Sequence, residues 1–443
     1  MRMYDLIVKK KNGGELTREE IAWFVRGVCS GEIPDAQTAA LLMAICLKGM
    51  GEREASDLTQ EMLASGKTAD LSAIPGKKAD KHSTGGVGDS TTPVVAAVVA
   101  ACGLKVAKMS GRALGHTGGT VDKFESMPGF RSDLSPREFA DVVNRVGAAV
   151  IAQTGELCPA DKKLYALRDL TGTIDNVALI ASSIMSKKLA SGADVIMLDV
   201  KYGSGAFIKK PENALELADL MVRIGERAGR SVGAVVTSMD VPLGRAVGNL
   251  LEMYEAADLL CGKGEPDKRL VCRTLASGML SLAGMGTREA CGEMIDRAVA
   301  SGRAFEKLCE MIRAQGGDPA MLEEPGRRVY APCRREIRAD GDCRGYLTRM
   351  DTEKIGITAG ILGEARKRPE DKVDYTAGIL IAKKTGDPVK PGDLLCELHT
   401  SDSSALDEAE RLYREALTFG GEPPRVPPIL YAAVGPNGSV SRF

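Results

Sequence analysis

Asp80-Lys81-His82-Ser83-Thr84-Gly85-Gly86-Val87-Gly88-Asp89-Ser90-Thr91-Thr92-Pro93 leads straight into the longest apolar run of the chain, 94–104. Its glycines let the backbone turn tightly and present N–H groups to an anion. A helix beginning near Pro93 adds the favourable dipole of its N-terminus. Lys81 brings charge, and Ser83 and Thr92 bring hydroxyls. The combination is phosphate-cradle chemistry. It is not a P-loop, because no G-x-x-x-x-G-K-[ST] occurs, and 86–91 fails the dinucleotide fingerprint at its third glycine.

A second glycine-rich stretch repeats the chemistry: Lys108-Met109-Ser110-Gly111-Arg112-Ala113-Leu114-Gly115-His116-Thr117-Gly118-Gly119-Thr120-Val121-Asp122-Lys123-Phe124-Glu125. It follows a short strand-like run at 106–109, which puts it at a sheet edge, where α/β proteins hold ligands. Two such loops suggest one oxyanion gripped from two sides by Lys and hydroxyl residues.

Outward from these loops the chain alternates strand and helix. Runs at 106–109, 146–151, 194–200 and 233–237 read as buried strands, and Ser135-Pro136-Arg137-Glu138 opens a helix with Ser at its cap. Pro211 opens another, running to about 228. Alternation of this kind predicts a largely parallel sheet. The first 65 residues read as helices, with Thr17 and Glu20 forming a capping box. Residues 161–191 read as helical again, with Val177, Ile180, Ala181, Ile184 and Leu189 on one side and Gly192 as the stop. From about Arg335 the texture is β, with tight turns at 385–395 and an extended segment at 423–428.

The fold class expected is therefore α/β with a separate helical domain and a C-terminal α+β domain. The helical domain takes 1–65 and about 160–192, the α/β domain 66–159 and 193–334, and a C-terminal β-rich domain 335–443.

Composition narrows the function classes. In 443 residues, 59 basic and 60 acidic side chains leave a net charge of −1, which argues against an electrostatic grip on nucleic acid or an anionic membrane. No stretch approaches the roughly 20 apolar residues of a membrane helix, and 1–14 has no apolar signal core. Eleven scattered cysteines without a C-x-x-C pair fit reduced thiols in a cytoplasm.

The stretch 110–125 resembles the signature of the thymidine and pyrimidine-nucleoside phosphorylase family, and 80–89 is similar to that family's other hallmark. The resemblance continues through Arg168, 182–188, 199–207 and 242–249, nearly the whole chain. Departures are Phe124 where an aliphatic is usual, Ser90 where Thr is common, and Asp240-Val241 before Pro242.

The resemblance implies a fold of the nucleoside phosphorylase class II type and phosphorolysis of a pyrimidine nucleoside to free base and an α-pentose 1-phosphate. It assigns phosphate to Lys81, Ser83, Thr92, Lys108, Ser110 and Thr120, and the pyrimidine to His82, Arg168, Ser183 and Lys187. His82, Arg168 and Lys187 carry the catalytic roles. It implies no organic cofactor, inorganic phosphate as co-substrate, and a potassium ion at Gly88, Ser90, Leu243, Ala246 and Glu255, a hard-oxygen set of low charge. It also implies a homodimer through the helical domain, and closure between the phosphate-bearing and pyrimidine-bearing domains.

Away from the resemblance, several residues read differently. Lys187-Lys188 alone is a solvated pair at a helix end, Arg168 a surface ion-pair partner, and Glu255 an exposed helix carboxylate. His116 reads as loop scaffold and His399 as a surface residue of the C-terminal domain. Rival functions are a strict thymidine phosphorylase and a magnesium-dependent phosphoribosyltransferase of the related fold, which needs an acidic metal-binding pair near the second loop, where Asp122 and Glu125 already belong to the phosphorylase signature. A carrier module is a third, since 386–393 resembles biotinyl- and lipoyl-domain turns without a Met-Lys-Met attachment motif.

Overall fold

The computed structural model describes residues 1–113, 118–153, 156–341, 343–366 and 371–443. His116 lies outside the described residues. The chain opens with four helices, α1 (Met3–Lys11), α2 (Arg18–Ser30), α3 (Asp35–Lys48) and α4 (Glu52–Ala64). It then runs through β1 (Lys78–Ser83), α5 (Thr91–Ala101), β2 (Lys105–Ser110), α6 (Thr120–Glu125), α7 (Pro136–Val146) and β3 (Ala148–Ala152). Next come α8 (Pro159–Thr171), α9 (Val177–Ala190), β4 (Val195–Tyr202), α10 (Pro211–Arg227) and β5 (Ser231–Ser238). A two-residue strand at Ala246–Val247 precedes α11 (Asn249–Leu260) and α12 (Pro266–Leu282).

Local chemistry sets the helix starts. Thr17 Oγ1 accepts from Glu20 N at 3.3 Å while the Glu20 carboxylate accepts from Thr17 N at 2.7 Å, the reciprocal box the sequence predicts. Ser135 and Glu138 repeat it at α7. Asn176 Oδ1 accepts from Leu179 N at 3.0 Å and starts α9.

The main sheet is parallel in the order β5-β4-β1-β2-β3, with β4 buried along its whole length. Two further strands, Leu430–Val434 and Val440–Arg442, add to the β5 edge in antiparallel fashion. The end of the chain therefore belongs to this sheet and not to the C-terminal unit expected over 335–443. A short apolar strand carries no local mark of its partner, and this one covers what would otherwise be an open edge.

α1 to α4 share a core with the second helical segment, where Phe24, Leu41 and Leu58 pack with Ala160 and Leu164 of α8 and Leu179 of α9. Met185 and Leu189 of α9 pack instead with Ile196 and Leu198 of β4 and Leu217 and Met221 of α10. α9 is thus shared between the helical bundle and the sheet. Burying such a side chain contributes about 1.5–3 kcal/mol, so the two faces of α9 fix its position firmly.

The C-terminal unit holds a three-stranded and a four-stranded sheet, with helices Thr352–Leu362 and Leu406–Glu415. The strand Ala246–Val247 pairs with Gly378–Ile381 and so crosses into the four-stranded sheet. His399 is a correction: it is 1% exposed and lies against the Tyr330 ring at 5.7 Å between centroids. Side chains of its strand, Leu394–Thr400, point to the faces of the sheet, and the face that carries His399 is covered by Tyr330 instead of water.

Candidate active site

The two glycine loops occupy the ends of adjacent parallel strands. The first joins β1 to α5, and the second joins β2 to α6. Both open onto one cavity of about 300 Å³. Ser83, Thr92, Lys108, Ser110 and Thr120 line it on the sheet side, while His82 projects from the end of β1. Arg168 of α8 and Ser183 and Lys187 of α9 line the opposite, helical side. Ile180, Ser183, Ile184 and Lys187 form one stripe of α9, because residues three and four apart share a helix face. Ile174, Phe207, Ile208 and Leu217 complete an apolar wall.

Lys81 is set apart from the other phosphate candidates. It is 2% exposed, does not line the cavity, and donates to Thr91 Oγ1 at 2.5 Å with Asp199 at 3.3 Å. Strand alternation turns it to the face opposite His82. The Asp89 carboxylate accepts from Ser83 Oγ and from Thr91 Oγ1, and Thr237 Oγ1 donates to Asp199 at 2.9 Å. Lys81 thus belongs to a buried network beneath the first loop and fixes its shape.

A second network forms part of the cavity floor, where Lys108 and Lys188 line the space and Asp80 lies beneath them. Asp80 receives Lys188 Nζ at 2.9 Å and Lys108 Nζ at 3.4 Å. Lys188 also donates to Met109 O at 3.0 Å and is buried, so it is not the solvated helix-end residue expected. Burial opposes ionisation of Asp80, but the two ammonium groups outweigh it and hold its pKa below the usual carboxylate range. Burial pushes Lys108 down to about 7; Asp80 supports its charge, whereas Lys188 and Lys81 oppose it. His82 is moved further. Burial, then the charges of Lys188, Lys108, Lys81 and Lys187, hold its pKa well below 6.5, so the imidazole is neutral at pH 7.

On the helical side, Lys187 Nζ lies 2.6 Å from Asp161 Oδ2 and 3.0 Å from Ser183 Oγ. Arg168 is 2% exposed, so it is not the surface ion-pair partner expected. Its guanidinium donates to Thr173 O at 3.1 Å, Ile174 O at 2.7 Å and Leu179 O at 3.2 Å. Three carbonyls of the α8–α9 junction therefore aim it, and burial lowers its pKa without removing a charge that arginine keeps in proteins.

Sequence reading missed Asp80, Asp161, Lys188 and Asp199 as members of the site. β1 reads Lys-Ala-Asp-Lys-His-Ser, so Asp80 carries no apolar-strand signal, and its partners Lys108 and Lys188 come from distant parts of the chain.

The five residues assigned to potassium do converge. A methyl group on Gly88 would lie 2.5 Å from Leu243 O and 3.0 Å from Ala246 O, and one on Gly244 would lie 2.5 Å from both Glu255 carboxylate oxygens. However, the Lys268 ammonium donates to Ser90 Oγ at 2.8 Å and to Glu255 Oε2. Both side-chain ligands of the set are taken by a positive group, so the residues present do not fit a potassium ion, and that expectation is corrected. Burial opposes the charge on Lys268, but Glu255 and Glu252 raise its pKa overall. Glu255 is correspondingly a charge partner and not a free helix carboxylate.

Asp122 and Glu125, the acidic pair of the phosphoribosyltransferase reading, are also committed. Asp122 meets Arg112 at 3.1 Å and Arg366 at 3.0 Å, and Glu125 meets Arg112, Ser132 at 2.6 Å and Tyr375 at 3.3 Å.

Comparison with known proteins agrees with this geometry. Residues 4–66 match a model of the glycosyl transferase family helical bundle domain, 75–305 its a/b domain, and 346–420 the pyrimidine nucleoside phosphorylase C-terminal domain. The chain is 48% identical over 414 residues to a pyrimidine-nucleoside phosphorylase of Bacillus subtilis (strain 168), covering 93% of this chain and 95% of that protein. It is 46% identical over 432 residues to a pyrimidine-nucleoside phosphorylase of Geobacillus stearothermophilus, covering 97% and 99%. Anthranilate phosphoribosyltransferase from Thermus thermophilus shares the fold, with a TM-score of 0.57 at 19% identity over 70% of this chain and 99% of that one. At that identity the last likeness speaks for architecture alone. The glycine loops, the two-sided cavity and identity of this extent lead to one conclusion: the chain belongs to the pyrimidine-nucleoside phosphorylase family.

Proposed function

We propose that the chain catalyses reversible phosphorolysis of uridine, thymidine and deoxyuridine to the free base and α-D-ribose or 2-deoxyribose 1-phosphate. The observation that carries this reading is the two-sided cavity. Hydroxyl and ammonium donors of the glycine loops face cationic donors of α8 and α9 across one space.

Inorganic phosphate is held by Ser83, Thr92, Lys108, Ser110 and Thr120, with Lys81 shaping the first loop from below. A phosphate oxygen forms its bond to C1′ as the C1′–N1 bond breaks, and that bond's electron pair passes to the pyrimidine. Charge develops on the ring and its carbonyl oxygens, where Arg168, Lys187 and Ser183 place donors. Preorganised donors aimed at developing charge are the main source of rate in such a site. His82 is neutral before substrate binds. It therefore serves as a hydrogen-bond partner of the base, and the two cations favour departure of the base as an anion. Enclosure between the helical and α/β walls excludes water that would otherwise compete with phosphate.

Broad pyrimidine use is favoured over strict thymidine use by the names of the relatives. The phosphoribosyltransferase reading is disfavoured because Asp122 and Glu125 are held by arginines. Base release from the three nucleosides, followed by ultraviolet absorbance in EDTA with and without phosphate, tests the reading. Release that requires phosphate and no divalent metal is expected; no phosphate-dependent release from any of them would overturn it.

A homodimer through the helical bundle is part of the same proposal. Tyr4, Met43, Leu47 and Leu170 are exposed apolar residues on α1, α3 and α8, surface that a second copy would cover. Light scattering that returned the single-chain mass of 46.9 kDa would count against it.

A further inference from the structure

We infer that the Lys268 ammonium is the monovalent cation of this chain, a tethered charge that joins the first glycine loop to α11 and makes a bound potassium ion unnecessary. Gly88, Leu243 and Ala246 could offer an ion only backbone oxygens. Ser90 and Glu255 are the side-chain ligands, and Lys268 Nζ is bonded to both. Lys268 is 0% exposed, so this is its built position and not a passing contact. A second cation reaching the same two oxygens would sit against the ammonium and be repelled at short range.

The location is costly for a lysine. Lys268 lies in the first turn of α12, where the helix dipole disfavours positive charge. It is also fully buried, where an ammonium is tolerated only when paired and hydrogen-bonded. Ser90 and Glu255 meet that condition.

What the charge holds together is informative. Ser90 immediately precedes α5, whose Thr92 lines the cavity. The Glu255 carboxylate accepts from Arg245 N at 2.5 Å, and Arg245 O accepts from Ile381 N of the C-terminal sheet at 2.8 Å. Lys268 is thus a positioning residue, linking the phosphate loop to the strand that crosses into the C-terminal unit.

Thermal melting of the full-length protein tests this, independently of whether the proposed reaction is right. Midpoints are compared in potassium chloride and choline chloride at equal ionic strength. Wild-type midpoints should coincide. Lys268→Ala removes the ammonium and leaves room for an ion. It should melt lower in choline by about 5 °C or more and recover in potassium. Lys268→Met removes the charge but keeps the bulk, and should melt lower in both salts. A wild-type midpoint raised by potassium would overturn the inference, as would a folded Lys268→Ala that is indifferent to potassium. The wild-type comparison decides by itself where a variant does not fold.

Discussion

Asp161 of α8 holds the Lys187 ammonium of α9 at 2.6 Å, and Ser183, one turn earlier on α9, holds it at 3.0 Å. Two of the three lysine N–H donors are thereby aimed, which leaves the third for the substrate. Lys187→Ala should lower kcat/KM for uridine by about 10²–10³-fold, the scale of losing one donor to developing charge. Asp161→Asn should cost about tenfold, because the ammonium stays but loses its anchor. Steady-state kinetics with circular dichroism as a fold control measures both. Full activity in Lys187→Ala would remove it from the site.

Phosphate binding should take up protons. Lys108 has its pKa lowered to about 7, so a large share of the unliganded protein carries it neutral above that pH. A bound phosphate dianion restores the charge. Calorimetric binding of phosphate at pH 8 in buffers of different ionisation enthalpy should report net uptake, and Lys108→Met should abolish it. Binding without proton exchange in the wild type would contradict the assignment.

His82 should not titrate near neutrality in the phosphate-free protein. Burial and four lysines keep it neutral well below 6.5. The imidazole C–H resonances should stay unshifted between pH 8 and 6, and a midpoint at 6.5 or above would contradict the electrostatics. His82→Ala should lower kcat by about 10²-fold. His82→Asn, which keeps a donor, should fall between the two.

His399 should impose acid lability. It titrates at about 4 in the folded chain, against about 6.5 in an unfolded one. Below pH 6.5 the unfolded state takes up a proton that the folded state declines. Stability is therefore complete above 6.5 and falls as pH drops towards 4, by about 3 kcal/mol in all. Denaturant unfolding at pH 7 and 4.5 should show that His399→Leu loses less stability than wild type over this interval. Equal losses would show that His399 is already charged.

The parts of this architecture written in local periodicity are readable from the sequence alone. β4 opens on the apolar run Val195–Leu198 and β5 is apolar over Val232–Val236 because a parallel sheet is covered on both faces, and α7 and α9 carry their caps in the adjacent residues. The site divides in the same way. Ser83, Thr92, Ser110 and Thr120 sit at the strand and helix ends that border the two loops, whose glycines advertise them. Lys81, Lys188 and Lys268 are misplaced or missed by such reading because a lysine's long stem lets its charge lie far from where its backbone position points. Only the carboxylates that meet them, Asp199, Asp80 and Glu255, decide where each charge ends, and each stands on a different element from its lysine.

The return of Leu430–Val434 to β5 has a mechanical meaning. The C-terminal sheets are entered from the main body and left again towards it, so they hang as a loop closed by backbone pairing. A pull on Phe443 would load the outer strands in peeling, one ladder hydrogen bond at a time, before tension reached the small sheets. Removing the residues after 428 would do the opposite. It would free the C-terminal unit from one of its two anchors and leave the β5 edge open to pairing with another molecule.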